Sequence, residues 1–260
     1  MDKIELIAGP CSAETREQMM KTATQLRAVG IRTLRAGLWK PRSHYGTFEG
    51  VGEKGLAWME EIQQTLGMRV MTEVALPSHV EAALNAGLDM LWIGARTTVN
   101  PFMMHELAEA LRGTDIPIWV KNPVSPDLEL WIGAIERLQH AGVKRIGAIH
   151  RGFCLVDNAP YRNSPLWDQI KELRNRVPGI PVYCDPSHIA GKRELLLQIC
   201  QEALSLKVDG LFIESHCCPQ EALSDAAQQL TPAALSDMLH TLNIDCLLYT
   251  SDAADDLIGV

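Results

Sequence analysis

The feature that most constrains the fold is an alternation, repeated eight times, of a short apolar run with a longer amphipathic stretch. The runs are Ile4–Ala8, Arg32–Ala36, Arg69–Val74, Met90–Ile93, Pro117–Val120, Arg145–Ile149, Pro181–Cys184 and Gly210–Ile213. Most are nearly continuous in apolar residues, the pattern of parallel strands buried on both faces. Helices are expected after each run: Glu14–Val29, Glu53–Leu66, Ser78–Ala86, Pro101–Leu111, Asp127–His140, Pro165–Val177, Lys192–Leu206 and Gln220–Gln229. A last helix, Pro232–Leu242, opens on proline, which a first turn tolerates because its N–H has no partner there.

Eight βα units predict a (β/α)₈ (TIM) barrel over residues 1–243. An open doubly wound sheet would be unusually wide and normally carries a glycine-rich phosphate turn after its first strand. Here that strand runs instead into Gly9-Pro10-Cys11-Ser12. Residues 244–260 continue neither helix nor strand, and are expected to be a non-native tail or the truncated start of a linker.

Composition narrows the partners. A net charge of −8 without a basic tail argues against nucleic acid. No apolar run approaches the ~20 residues of a transmembrane helix, and the N-terminus lacks a signal layout, so the expected address is the cytoplasm, away from membranes. Seven irregularly spaced cysteines, two of them adjacent at Cys217 and Cys218, do not form a disulfide framework.

A barrel enzyme builds its site from the C-terminal ends of its strands and the loops beyond them. Those eight places hold Cys11; Arg35, Lys40 and Arg42; Glu73; Arg96; Lys121; Arg151; Asp185 and His188; and Glu214 with Asp225. Each carries an ionisable or metal-binding group. Arg35, Lys40, Arg42, Arg96, Lys121 and Arg151 gather cations in one mouth of an acidic protein, an arrangement whose self-repulsion an anionic ligand offsets. Arginine forks and lysine point charges suit phosphate and carboxylate, so two phosphorylated ligands, or one carrying both groups beside a second phosphate, fit the set. Cys11, His188, Glu214 and Asp225 form a mixed soft and hard donor set able to hold one divalent metal: Mn, Fe, Co or Zn. Their spacing is long-range and marks no local motif. Taken singly, Cys11 reads more commonly as a buried inert thiol and His188 as a hydrogen-bonded loop histidine. His216, Cys217 and Cys218 are rival ligands by proximity. Glu73 has two readings, a salt-bridged carboxylate or one that positions a water.

Several motifs, in order along residues 4–243, resemble the type I 3-deoxy-7-phosphoheptulonate (DAHP) synthases. They are Ala8-Gly9-Pro10-Cys11-Ser12, Arg35 with Lys40-Pro41-Arg42-Ser43, Gly94-Ala95-Arg96-Thr97-Thr98 and Lys121-Asn122-Pro123. His150-Arg151-Gly152, Asp185-Pro186-Ser187-His188, and Glu214-Ser215-His216 with Ser224-Asp225 complete the series. The likeness is to the β subgroup whose members often carry a chorismate mutase domain. It implies condensation of phosphoenolpyruvate with erythrose 4-phosphate, the first step of the shikimate pathway to aromatic amino acids. By the same resemblance Cys11, His188, Glu214 and Asp225 are the metal ligands. Arg35, Lys40, Arg96, Lys121 and Arg151 hold phosphoenolpyruvate, and Arg42 and Ser43 take the phosphate of the aldehyde. Lys40 protonates the aldehyde oxygen and Glu73 orients the attacking water. The loop Ser43-His44-Tyr45-Gly46-Thr47-Phe48 departs from the run that many members carry, which bears on the fine contacts of the aldehyde.

Two other functions compete. 3-Deoxy-manno-octulosonate 8-phosphate synthase shares the expected barrel but usually reads Lys-Ala-Asn-Arg where this chain reads Lys40-Pro41-Arg42-Ser43. A catalytically silent phosphate-binding barrel would break at least one ligand or cation position, and none is broken. A homo-oligomer, dimer or tetramer, is expected, with a chorismate mutase domain in a longer natural protein. Because strand one begins within a few residues of Met1, the chain as it stands is expected to be insensitive to aromatic amino acids.

Overall fold

The structure, a computed structural model, describes residues 4–41 and 46–244. Eight parallel strands close into a barrel in sequence order: β1 (Glu5–Gly9), β2 (Thr33–Arg35), β3 (Arg69–Val74), β4 (Met90–Ile93), β5 (Ile118–Lys121), β6 (Ile146–His150), β7 (Val182–Cys184) and β8 (Gly210–Glu214). The ladder from β1 to β8, with Ala8 opposite Ile213 and Gly9 opposite Glu214, completes the ring. Around it run α1 (Arg16–Ala28), α2 (Lys54–Leu66), α3 (Pro77–Asn85), α4 (Ala95–Thr98), α5 (Pro101–Ala110), α6 (Leu128–His140), α7 (Asp168–Arg176), α8 (Pro186–Ala190), α9 (Leu196–Ser205) and α10 (Pro232–Thr241). The expected (β/α)₈ barrel is therefore the fold, and its strands lie within two residues of their expected bounds. Residues 245–260, most of the expected tail, fall outside the described residues.

Local chemistry sets the helix starts. Thr15, Asn100, Asp127 and Thr231 accept backbone N–H groups of the first turns of α1, α5, α6 and α10, donors that would otherwise be orphaned. One expected helix is absent: Gln220–Gln229 contains only a 3₁₀ turn at Pro219–Glu221. Asp225 takes a left-handed φ of 48°, which a helix does not accommodate, and the chain then pairs Leu230 alongside Ser215. Two short helices were not anticipated, α4 and α8, each directly beyond a strand end.

Period-two alternation sorts the strand residues into two cores. Ala8, Leu34, Val70, Leu91, Ile118, Ala148, Val182 and Leu211 face outward and pack under the helices. Ile7, Met71, Trp92, Trp119, Ile149, Tyr183 and Phe212 fill the barrel. Gly147 makes room for the largest of these, since a Cβ there would lie 1.8 Å from the Trp119 ring. Two residues further along, the same inward parity delivers Arg35, Glu73, Lys121, Arg151, Asp185 and Glu214. All six are buried. The apolar plug thus carries a charged layer at its C-terminal end, and the guanidinium of Arg35 lies 4.8 Å from the centre of the Phe212 ring.

Candidate active site

The charged layer is balanced in sign: three basic and three acidic side chains share it. Arg35 Nη1 donates to Glu214 Oε1 at 3.1 Å and its Nη2 to the carbonyl of Cys11 at 3.2 Å. Lys121 Nζ lies 2.8 Å from Asp185 Oδ2. Two of the six cations expected to face an anion are therefore already paired with buried carboxylates. Among the described residues, Arg96 and Arg151 have no carboxylate at ion-pair distance, and the Arg151 guanidinium donates to the carbonyl of Gly152. Burial, with Arg162 and Arg96 nearby, lowers Arg151 to about 10 against the opposing pull of Asp185. A buried guanidinium destabilised in this way favours an anionic ligand. Arg42 and Ser43 lie outside the described residues.

Above the layer, the loop after β1 brings in Cys11 and the segment after β8 brings in Asp225. The Cys11 thiol and one oxygen each of Glu214 and Asp225 lie within 4.8 Å of one another. The thiol donates to Asp225 Oδ2 at 3.4 Å. His188, on α8, completes the group, with Nε2 3.8 Å from Glu214 Oε1 and 3.8 Å from Asp225 Oδ2. Its Nδ1 lies 2.8 Å from Asp185 Oδ2, and Asp185 Oδ1 caps α8 by accepting His188 N. Burial lowers the His188 pKa, which keeps the imidazole neutral, as a ligand must be. Burial and then Glu214 push the Cys11 thiol up to about 11. A thiol, an imidazole and two carboxylates converging in a buried space fit a divalent cation, which offsets the acidic crowding. The rival ligands point elsewhere: His216 Nε2 faces Glu14, the Cys217 thiol faces the Gln18 carbonyl on α1, and the Cys218 thiol faces Gln220 Oε1.

Lys40 crosses this cluster. Its Nζ donates to the Cys11 carbonyl at 2.9 Å and to the thiol at 3.2 Å. Burial alone would lower Lys40, but Cys11, Glu73 and Glu214 around it raise its pKa above the ordinary value. It therefore remains an ammonium able to donate a proton. Glu73 accepts from Trp92 Nε1 at 3.1 Å, and Gly94 leaves the space its carboxylate fills. Its neighbours are thus a tryptophan donor and the cations of the layer, in the barrel mouth and not on the outer surface.

Other residues of the site carry no sequence signal of their own. Gln229 Oε1 accepts the Cys11 backbone N–H at 2.9 Å, Gln228 Nε2 donates to Glu214 Oε2 at 2.6 Å, and Arg162 reaches Asp225. Asp185 was visible within its motif, but its bridging of Lys121 and His188 was not.

Comparison with known proteins places this geometry. The family model described as "DAHP synthetase I family" matches residues 1–246. A phospho-2-dehydro-3-deoxyheptonate aldolase of Thermotoga maritima is 33% identical over 86% of this chain, which spans 64% of that protein's length. A 2-dehydro-3-deoxyphosphooctonate aldolase of a Synechococcus species is 27% identical over 93% of the chain and 88% of its own. The crystal structure of the Thermotoga DAHP synthase superposes with a TM-score of 0.82 at 29% identity, covering 93% of this chain and 68% of that one. A truncated form of the Thermotoga enzyme gives 0.79 at 27% identity, over 93% and 86%. The family match over nearly the whole chain and the identity to the Thermotoga protein agree, and the chain belongs to the DAHP synthetase I family.

Proposed function

We propose that this chain condenses phosphoenolpyruvate with erythrose 4-phosphate to 3-deoxy-7-phosphoheptulonate and phosphate, with one divalent metal held by Cys11, His188, Glu214 and Asp225. The observation that carries this reading is the convergence of those four donors beneath Lys40 in a mouth where Arg96 and Arg151 lack carboxylate partners among the described residues. When bound, the metal supplies Lewis acidity toward a carbonyl. The chain's own residues do the rest. Arg96, Arg151 and Lys121 hold the phosphate and carboxylate of phosphoenolpyruvate, and Arg35 holds Glu214 in place beneath them. Arg42 and Ser43 take the phosphate of the aldehyde. Lys40, kept protonated by its acidic neighbours, donates to the aldehyde oxygen as the new carbon–carbon bond forms. Glu73 orients the water that adds to C2, and C–O cleavage then releases phosphate. Positioning of two anions by fixed cations is the main contribution.

A second reading, with arabinose 5-phosphate as acceptor, has support in the octulosonate relatives, which match along most of their length. Lys40-Pro41-Arg42-Ser43 favours the four-carbon sugar. Phosphate release from phosphoenolpyruvate, measured with each aldehyde in turn and with or without Mn²⁺, tests both. Metal-dependent release with erythrose 4-phosphate is expected. Faster release with arabinose 5-phosphate would transfer the chain to the second reading.

A further inference from the structure

The segment between β6 and α7 contributes Arg162 and Asn163, to which no motif assigns a role. Their backbone is tied to α8: the N–H groups of Arg162 and Asn163 both donate to the Ile189 carbonyl, at 2.9 and 3.2 Å. Gly191 at the end of α8 makes the approach possible, since a Cβ there would lie 2.5 Å from Arg162 Cβ. From this anchor the two side chains reach two of the four clustered residues directly and a third through Gln228. Asn163 Nδ2 donates to the His188 carbonyl at 2.6 Å. Arg162 Nη1 donates to Asp225 Oδ1 at 3.0 Å and to Gln228 Oε1 at 2.7 Å, and Gln228 passes the connection on to Glu214 Oε2.

The bonds fall on particular oxygens. Arg162 and its relay occupy Asp225 Oδ1 and Glu214 Oε2. The other oxygens, Asp225 Oδ2 and Glu214 Oε1, are the two that face His188 Nε2. A carboxylate torsion is broad and roughly two-fold, so an untethered Asp225 would present either oxygen, or neither, to the cluster. Asp225 is in addition held at a left-handed φ on an irregular segment. We propose that Arg162, acting through Gln228, is a positioning residue of the metal site: it fixes the outward oxygens of Asp225 and Glu214 so that one oxygen of each is aimed inward. The proposal rests on the reading of the four residues as a metal site. It sets orientation against charge, because a guanidinium near a divalent cation also repels it. The structure favours orientation, since Nη1 is already engaged by a carboxylate and an amide oxygen.

The test is Mn²⁺ binding to the full chain by equilibrium dialysis, with free Mn²⁺ read by electron paramagnetic resonance. The proteins are wild type, Arg162→Ala, Arg162→Lys and Cys11→Ala, each checked by thermal melt. Wild type is expected to bind one Mn²⁺ per chain, and Cys11→Ala to lose it. Arg162→Ala should bind about 10- to 100-fold more weakly with its melt little changed, the usual effect of removing a partner behind a ligand. Because one nitrogen makes both bonds, the ammonium of Arg162→Lys should restore most of the affinity. Wild-type or tighter affinity in Arg162→Ala, with Cys11→Ala still deficient, would overturn the positioning role and leave the metal site standing. No Mn²⁺ bound by the wild type would remove the site itself, and the positioning role with it.

Discussion

Gly94→Ala separates the fold from the chemistry. Gly94 has ordinary extended backbone, φ −75° and ψ 156°, so alanine is compatible with the chain itself. A Cβ there would lie 2.0 Å from Glu73 Oε1, where ordinary contact begins at 3.4 Å. The carboxylate must therefore retreat by about 1.4 Å, taking the arithmetic difference. It can do so, because it is the free end of a flexible side chain. The stability cost is then limited to the bond from Trp92, at most roughly 2 kcal/mol, or a few degrees in Tm for a chain of this size. Displacement of a group that orients a reactant by about 1 Å costs on the order of 100-fold in rate. Gly94→Ala should accordingly lower kcat by about 10- to 100-fold, approaching Glu73→Ala, while Mn²⁺ affinity stays near wild type. The double variant should be no slower than Glu73→Ala, since the clash and its target are removed together. Steady-state kinetics with thermal melts on the three variants decide it. Wild-type kcat in Gly94→Ala, or costs that multiply in the double variant, would refute the placement of Glu73 in the reaction.

Chelation should abolish activity and Mn²⁺, Fe²⁺ or Co²⁺ restore it, with Cys11→Ala keeping its melt but not its metal; full activity of that variant in metal-free buffer would contradict the ligand set. Arg96→Ala and Lys121→Ala should each weaken phosphoenolpyruvate use by about ten- to a hundred-fold, the loss of one charge-assisted contact. They should differ in stability, because Arg96 is exposed while Lys121→Ala strips Asp185 of a buried partner, a loss of roughly 3–5 kcal/mol readable in a urea titration. His150 is fully buried, and burial lowers its pKa from 6.5 to about 4. The unfolded chain therefore binds the extra proton between these values, and stability present above pH 6.5 is lost as pH falls toward 4. The full effect is on the order of 3 kcal/mol. A urea series from pH 7 to pH 4.5 should show this loss in the wild type and a smaller one in His150→Phe.

Much of the barrel was legible because parallel strands buried on both faces must be apolar, and because inward parity is fixed once a strand is placed. That parity also set Arg35, Glu73, Lys121 and Glu214 in the mouth. The segment after β8 misled. Ala222, Leu223, Ala226 and Ala227 give it a helical look, but Pro219 and the left-handed Asp225 set its course. Its glutamines turn inward to hold Cys11 and Glu214, and no local pattern announces a glutamine that acts through a partner more than ten residues away. Arg162 was hidden for the same reason, as an ordinary loop arginine until the fold brings Asp225 to it. The pairing within the mouth was hidden too, since residue type reveals six cations but not that Arg35 and Lys121 already face Glu214 and Asp185.

The central claim is that the four clustered donors and the cationic mouth act as one site on two phosphorylated substrates. Mass spectrometry of the products after the Mn²⁺-loaded chain meets phosphoenolpyruvate and erythrose 4-phosphate tests it most directly. The account predicts a seven-carbon phosphorylated keto acid and one equivalent of inorganic phosphate, both absent from the metal-stripped chain. Recovery of both substrates unchanged from a chain shown to carry one Mn²⁺ would contradict it.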